Sequence, residues 1–310
     1  MLTRRSLIAA TTAAATAAAA APARAQSWKA AYPELTYAII PAENASTVTE
    51  RYGPFMAYLT KELGTKVTLR IANDYAAVIE GQRSGNVHIC SYGPTSFARA
   101  RMTGVKTEAI LIEVYAGGRM GYYTAFYTRA ADKYKTIQDL KGKNIAFVDP
   151  NSASGYTVPL YKLNQLGIKP SEFFGKVVFA GSHDNAMIAL AQGTVDVGVT
   201  WFDDETDSNL TKMVGKGMLK KADGTPYTNA DFSVVLKSDI IINSPVAVLS
   251  DLPAELKAAI KQAFLDAPTK DHAAFAKLSD NMNFPWQPID SSAYDDTIKM
   301  VKFVDSLRKS

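Results

Sequence analysis

Apolar runs of strand length alternate with helical patterns along most of this chain. The pattern predicts strands over 35–40, 66–71, 87–91, 108–115, 122–128, 144–148, 176–180, 195–200 and 232–242. It predicts helices over 52–63, 75–84, 95–102, 158–166, 184–192, 254–267, 272–281 and 292–307. Alternation of this kind argues for α/β sheets with helices on both faces. Two segments, 66–91 and 176–200, look like copies of one unit. In each, a polar loop (Asn73-Asp74-Tyr75 or Ser182-His183-Asp184) opens an apolar helix, a glycine (Gly85 or Gly193) closes it, and a short apolar strand follows. The pairing predicts two related lobes. Residues 26–121 and 245–310 are assigned to lobe 1 and residues 122–244 to lobe 2, with the region after 245 mostly helical. Hinge segments at 121–128 and 232–244 would carry the chain out and back, and two crossings frame a cleft that closes on a ligand.

The first residues read as a targeting segment. Arg4-Arg5 is followed by an alanine-rich apolar run and by Ala23-Arg24-Ala25, a small-residue cleavage pattern. A twin-arginine signal peptide over 1–25 is expected, removed near Ala25, with export to a bacterial periplasm. No later segment has the length and apolarity of a transmembrane helix, so no membrane anchor is expected. Arg4, Arg5 and Arg24 are the charged residues of 1–25, so removing them lowers the formal net charge from +4 to +1. No basic block suited to nucleic acid remains. With Cys90 alone there is no intramolecular disulfide framework and no cysteine-rich metal site, and no cofactor is expected. Cys90, in an apolar run, reads as a small buried hydrophobe.

The chemistry concentrates at 144–160. Ile145 to Val148 is an apolar run that stops at Asp149-Pro150. Small polar residues Asn151, Ser152, Ser154 and Gly155 follow, and a helical pattern begins near Tyr156. Strand, small polar turn, helix start is the geometry of an anion site: free N–H groups and the helix dipole favour negative charge, and serine hydroxyls add donors. Serines at a helix start also serve as plain N-caps.

With Asn73-Asp74-Tyr75, Tyr92-Gly93-Pro94, Asp149-Pro150-Asn151-Ser152-Ala153-Ser154-Gly155-Tyr156 and His183-Asp184-Asn185 in this order, the sequence resembles the periplasmic phosphonate-binding proteins of ABC importers. The resemblance covers nearly all of the chain after the leader. It implies the two-lobe periplasmic binding protein fold, a small phosphonate as ligand and a membrane permease as partner. It also implies that Tyr75, Tyr122, Ser152, Ser154 and His183 hold the phosphonate oxygens. Phenol, serine and imidazole groups suit this, since they donate to an oxyanion without adding a full charge. Tyr92 belongs to the same motif set and, with Ala153 and Ser244, is expected among the ligand-binding residues. Ala153 departs from the family's Ser-Thr-Ser turn and removes one hydroxyl. Family members that take 2-aminoethylphosphonate hold its ammonium with a glutamate and an aspartate; the matching positions are Asp203 and, less closely, Ser244. Asp204 and Glu205 lie nearby, Glu205 reading as part of a solvated loop, and Trp201, after a strand, reads either as packing or as facing the cleft. His88 and His272 have no motif.

The resemblance ranks 2-aminoethylphosphonate first, because Asp203 keeps a carboxylate, and phosphite, methylphosphonate or phosphate second, because Ser244 removes one. A receptor of the same fold for a sulfonate or a pyrimidine is a third possibility. Ser154, His183 and Asp203 can be drawn as a hydrolase triad, but the serine is not in a Gly-x-Ser-x-Gly elbow, so an enzyme is not expected.

Overall fold

The computed structural model describes residues 28–279 and 284–308; the leader expected over 1–25 lies outside them. The chain first builds β1 (Glu34–Ile39), α1 (Ala45–Leu63), β2 (Lys66–Ile71), α2 (Tyr75–Arg83), β3 (Ile89–Ser91), α3 (Pro94–Met102) and β4 (Thr107–Val114). It continues with β5 (Gly121–Arg129), β6 (Asn144–Phe147), α4 (Val158–Gln165), α5 (Pro170–Phe173), β7 (Lys176–Phe179), α6 (His183–Ala191), β8 (Val197–Phe202), α7 (Asn209–Gly215), β9 (Phe232–Lys237) and β10 (Ile241–Ile242). It ends with β11 (Pro245–Leu249), α8 (Ala254–Lys270), α9 (His272–Leu278), β12 (Phe284–Pro288) and α10 (Asp295–Leu307). One sheet has the order β12-β4-β11-β3-β1-β2 and the other β10-β5-β8-β6-β7, with β9 also paired to β5.

Each sheet contains the same parallel triplet. β1 lies between β2 and β3, and β6 lies between β7 and β8. The segments read as copies in the sequence therefore occupy equivalent places. In both, the helix begins where the preceding strand ends, so α2 and α6 direct their N-termini to the carboxyl edge of their sheets. In open α/β sheets that edge is where ligands bind.

The chain passes between sheets through 115–120 and 243–244. Residues 121–128, expected as a hinge segment, form most of β5, a full member of the second sheet. The run expected as one strand over 232–242 is divided: β9 and β10 both pair with β5, on different stretches of it. The region after 245 is not all helical. β11 inserts antiparallel between β3 and β4, and β12 covers the outer edge of β4. Asn243 ties the crossings together, since its Nδ2 donates to Glu113 O at 2.9 Å and to Arg119 O at 3.3 Å. Tyr294 Oη donates to Asn243 O at 2.9 Å.

The first lobe's largest core joins α1, α8 and α9 to the sheet through Phe55, Phe264, Phe275 and Trp286. The second sheet is covered by separate clusters, one around Met187 and Leu190, the other around Phe147, Leu160 and Leu163. Burial of each such side chain contributes roughly 1.5–3 kcal/mol. The last helix spans both lobes. Asp305 receives two hydrogen bonds from Arg99 of α3, at 2.9 and 2.7 Å, while Val304 packs in the Phe147 cluster.

Candidate functional site

A cavity of about 170 Å³ opens between the carboxyl edges of the two sheets. Tyr75, Tyr92, Tyr122, Ser152, Ala153, Ser154, His183, Asp203 and Ser244, all singled out in the sequence, line it.

Local structure explains why these residues meet. Tyr75 is the first residue of α2, whose start is capped by the Asp74 carboxylate accepting from Ala77 N at 2.7 Å. His183 is the first residue of α6, capped by Ser182 accepting from Asn185 N at 3.1 Å. Ser152 caps a single wide turn over Ala153–Thr157 that leads into α4; its Oγ accepts from Gly155 N at 3.0 Å. The turn is of the i→i+5 kind, with Thr157 N donating to Ser152 O at 3.0 Å. Such turns often mark functional positions. Gly155 is required there. A Cβ on it would lie 2.3 Å from Val148 Cβ and 2.7 Å from Ser152 Oγ. Gly93 and Pro94 start α3 beside the same space. Several helix N-termini thus border one cavity, and their dipoles favour an anion without placing a formal positive charge in it.

The polar groups in this part are neutral donors. Tyr75 Oη is buried, and burial pushes its phenol far above the ordinary range, partly offset by the Ser152 hydroxyl. Tyr122 is likewise raised by burial, partly offset by the Ser154 hydroxyl. Ser152 and Ser154 are each 2 % exposed. Ser154 is held from behind, its carbonyl accepting from Thr124 Oγ1 at 2.7 Å. His183 Nδ1 is 2.9 Å from Thr200 Oγ1, and its Nε2 is 3.5 Å from Ser152 Oγ. Burial pushes the imidazole down to about 3, so it is neutral near pH 7. In the tautomer in which Thr200 donates to Nδ1, Nε2 carries the proton and serves as a donor.

Tyr92 differs from the expected role. Its hydroxyl donates to Gln82 Oε1 at 3.0 Å, so that group is spent inside the first lobe. The residues drawn as a triad do not form one: His183 bonds Thr200, not Asp203. His88 is structural, Nδ1 accepting from Thr36 N at 3.0 Å. Glu205 is a surface residue paired with Lys237 at 3.0 Å.

A second set of lining residues is charged. Asp203 follows β8 and is 3 % exposed; burial first, then neighbouring Asp207, pushes its carboxyl up to about 7. Its Oδ1 has no hydrogen bond, and Arg119 Nη2 stands 3.8 Å away. Asp207 pairs with Lys212 at 3.4 Å, and Lys212 lies 4.8 Å from the centre of the Trp201 ring. Glu113, Tyr115, Tyr37, Ser91 and Arg51 also line the cavity and were missed in the sequence. Only local alternation could have flagged Glu113, a carboxylate that follows the apolar run 109–112 near the end of β4.

Among the described residues no cluster of His, Cys, Asp and Glu is arranged to hold a metal ion. No helix there is long and apolar enough to cross a membrane.

Comparison with known proteins agrees with this geometry. The family model described as "ABC transporter, phosphonate, periplasmic substrate-binding protein" matches residues 37–294. A phosphate-import protein of Mycolicibacterium smegmatis is 34% identical over 242 residues, covering 75% of this chain and 72% of the relative. A phosphonates-binding periplasmic protein of Escherichia coli is 28% identical over 249 residues, covering 79% and 68%. Among solved structures, PhnD1 of Prochlorococcus marinus in complex with methylphosphonate superposes with a TM-score of 0.73 at 20% identity, covering 88% of this chain and 98% of that one. A phosphonate-transporter binding component of Pseudomonas aeruginosa gives 0.75 at 23%, covering 88% and 87%. These likenesses show the two-lobe binding-protein fold.

Proposed function

Since the chain belongs to the phosphonate-binding family of periplasmic substrate-binding proteins of ABC transporters, we propose that it captures a small phosphonate between its lobes and delivers it to a membrane permease. The ligand favoured is 2-aminoethylphosphonate. The observation that carries this reading is the make-up of the cavity. Neutral donors at helix starts, Tyr75, Ser152, Ser154 and His183, together with Tyr122 of β5, share one cavity with the buried carboxylate of Asp203. The donors replace the hydrogen bonds an oxyanion loses on leaving water, and the carboxylate suits a cationic tail.

No bond is broken in this scheme. The absent Ser154–His183–Asp203 relay and the neutral, inward-held imidazole support binding over hydrolysis. Export of the chain, with removal of residues 1–25, places the receptor in the periplasm. The relatives' names span phosphate, phosphonates and phosphite, so the oxyanion end is the shared chemistry and the tail is the variable one.

A thermal-shift panel with 2-aminoethylphosphonate, methylphosphonate, phosphite, phosphate and alkanesulfonates tests it, because a ligand that binds only the native state raises its melting temperature. The largest shift is expected for 2-aminoethylphosphonate. A larger shift for phosphite or phosphate would move the assignment to a bare oxyanion, and one for a sulfonate alone would remove phosphorus from it.

A further inference from the structure

We propose that Glu113 is a specificity-determining residue, supplying from the first lobe a second carboxylate that reads a cationic tail on the ligand opposite Asp203. The inference rests on the cavity being an oxyanion receptor. Its position differs from the clamp implied by the family resemblance, whose carboxylates come from the second lobe and the hinge. Glu113 lies near the end of β4, in the other sheet.

The backbone around Glu113 is fixed by the chain crossings. Its N–H donates to Ser244 O at 3.1 Å, and its carbonyl accepts from Asn243 Nδ2 at 2.9 Å. The side chain is only partly buried, and it lines the cavity. Its hydrogen bond among the described residues comes from Tyr115 Oη, at a long 3.3 Å. The nearby cations are engaged elsewhere. Arg51 pairs with Glu43 at 3.1 Å, and Lys212 pairs with Asp207 at 3.4 Å. Arg119, the cation nearest Asp203, is closer to Asp204, at 3.3 Å. Glu113 and Asp203 therefore line one cavity, Glu113 without an ion pair among the described residues and Asp203 with Arg119 at 3.8 Å, a cation it shares with Asp204.

Such an arrangement is unfavourable beside a bound anion unless a positive group joins them. An ammonium tail does so, accepting a partner from each lobe, and its binding then draws the lobes together. A methyl or hydrogen in its place leaves the carboxylates facing an apolar or anionic group. Burial pushes the Glu113 carboxyl up to about 7; the facing groups Tyr115, Arg51 and Lys212 act downward and Glu43 upward. Burial thus leaves both carboxylates reluctantly ionised, and a cation beside them would restore their charge.

The test is calorimetry of 2-aminoethylphosphonate and methylphosphonate with wild-type protein, Glu113→Gln and Glu113→Asp, at about pH 8, above the raised Glu113 value. Glu113→Gln is expected to weaken the amine ligand about tenfold or more and to change methylphosphonate less than about threefold, as for one lost charge-assisted partner. Glu113→Asp should keep part of the preference. In wild-type protein the preference for the amine should also fall as pH drops from about 8 to about 6, with a shallower fall in Glu113→Gln; this last comparison in unmutated protein guards against a variant that folds poorly. Equal losses for both ligands, no loss for either, or a pH-independent preference in the wild type would overturn the role of Glu113 while leaving the receptor intact. Wild-type protein that binds neither ligand would overturn the receptor reading itself, and this inference with it.

Discussion

The backbone amide of Asn44, at the start of α1, donates to Asp184 Oδ2 of α6 at 3.0 Å, so a hydrogen bond joins the lobes beside the cavity. Next to it His183 N donates to Ala42 O at 3.1 Å. The structure is therefore that of a closed cleft. Asp184 also accepts from Asn209 Nδ2 at 2.9 Å, a bond internal to the second lobe that holds the carboxylate in place.

Because the Asn44 bond exists only when the lobes meet, its loss should fall on ligand retention. Asp184→Ala is expected to weaken binding by about 1.5–3 kcal/mol, the range for hydrogen bonds to charged groups. Most of the change should be in the dissociation rate. Stopped-flow release of a bound phosphonate checks this; an unchanged release rate would mean that the contact does not hold the closed state.

Ser152 and Ser154 should separate stability from affinity. Ser152 caps its turn and faces His183, so Ser152→Ala should cost about 1 kcal/mol of folding stability as well as ligand affinity. Ser154 has no capping role, and Ser154→Ala should weaken methylphosphonate by about 1.5–3 kcal/mol with little change in melting. Calorimetry and thermal denaturation of both variants decide it. Unchanged affinity in both would put the oxyanion elsewhere.

Gly155→Ala tests whether the wide turn itself matters. The added Cβ would meet Val148 and Ser152, both buried, and neither can withdraw without moving the turn. Overpacking of this kind costs about 1–3 kcal/mol, and the displaced N–H groups should weaken every phosphorus ligand alike. A variant with wild-type melting and wild-type affinity would show that the turn has slack.

These residues were legible in the sequence because their signal is local. A strand, a cap and a helix start at 144–160 occupy adjacent positions, and the geometry follows from backbone rules alone. The same holds for Tyr75 and His183, each the first residue of a capped helix. Glu113 was not legible, because its importance depends on what the other sheet places opposite it. The division of 232–249 was partly written in the chain: Lys237-Ser238-Asp239 and Asn243-Ser244 interrupt the apolar run where β9, β10 and β11 part, but the partner of each strand shows only in the fold. No strand was expected at β12, where Pro285 and Pro288 argue against one, yet an edge strand tolerates a missing donor. α7 was not expected from the sequence, being only seven residues long, although Ser208 and Thr211 form a capping box at its start.

Asp203 should decide between ligands with and without an ammonium group, and it should do so in a pH-dependent way. Its folded value, about 7, lies above the ordinary value of about 3.9 for the unfolded chain. Between those values the folded protein holds a proton that the unfolded chain has released. Stability of the empty protein therefore falls as pH rises from about 4 to about 7, and the penalty is complete above that window. Asp203→Asn removes the penalty, so the empty variant should melt higher than wild type at about pH 8, by an amount on the order of 2 kcal/mol, and the two should converge at about pH 4. Ligand binding should move the opposite way. The same variant is expected to weaken 2-aminoethylphosphonate by about 2–4 kcal/mol relative to methylphosphonate, because the ammonium loses a charged partner inside a closed cleft. Gain of stability with selective loss of the amine ligand is the signature of a carboxylate kept for function at a cost to folding. Melting curves of the empty proteins across this pH range, set beside calorimetry of both ligands, measure the two halves separately. Equal losses for the two ligands would show that Asp203 does not touch the tail, and a variant no more stable than wild type at the higher pH would show that its carboxylate is not strained in the empty cleft.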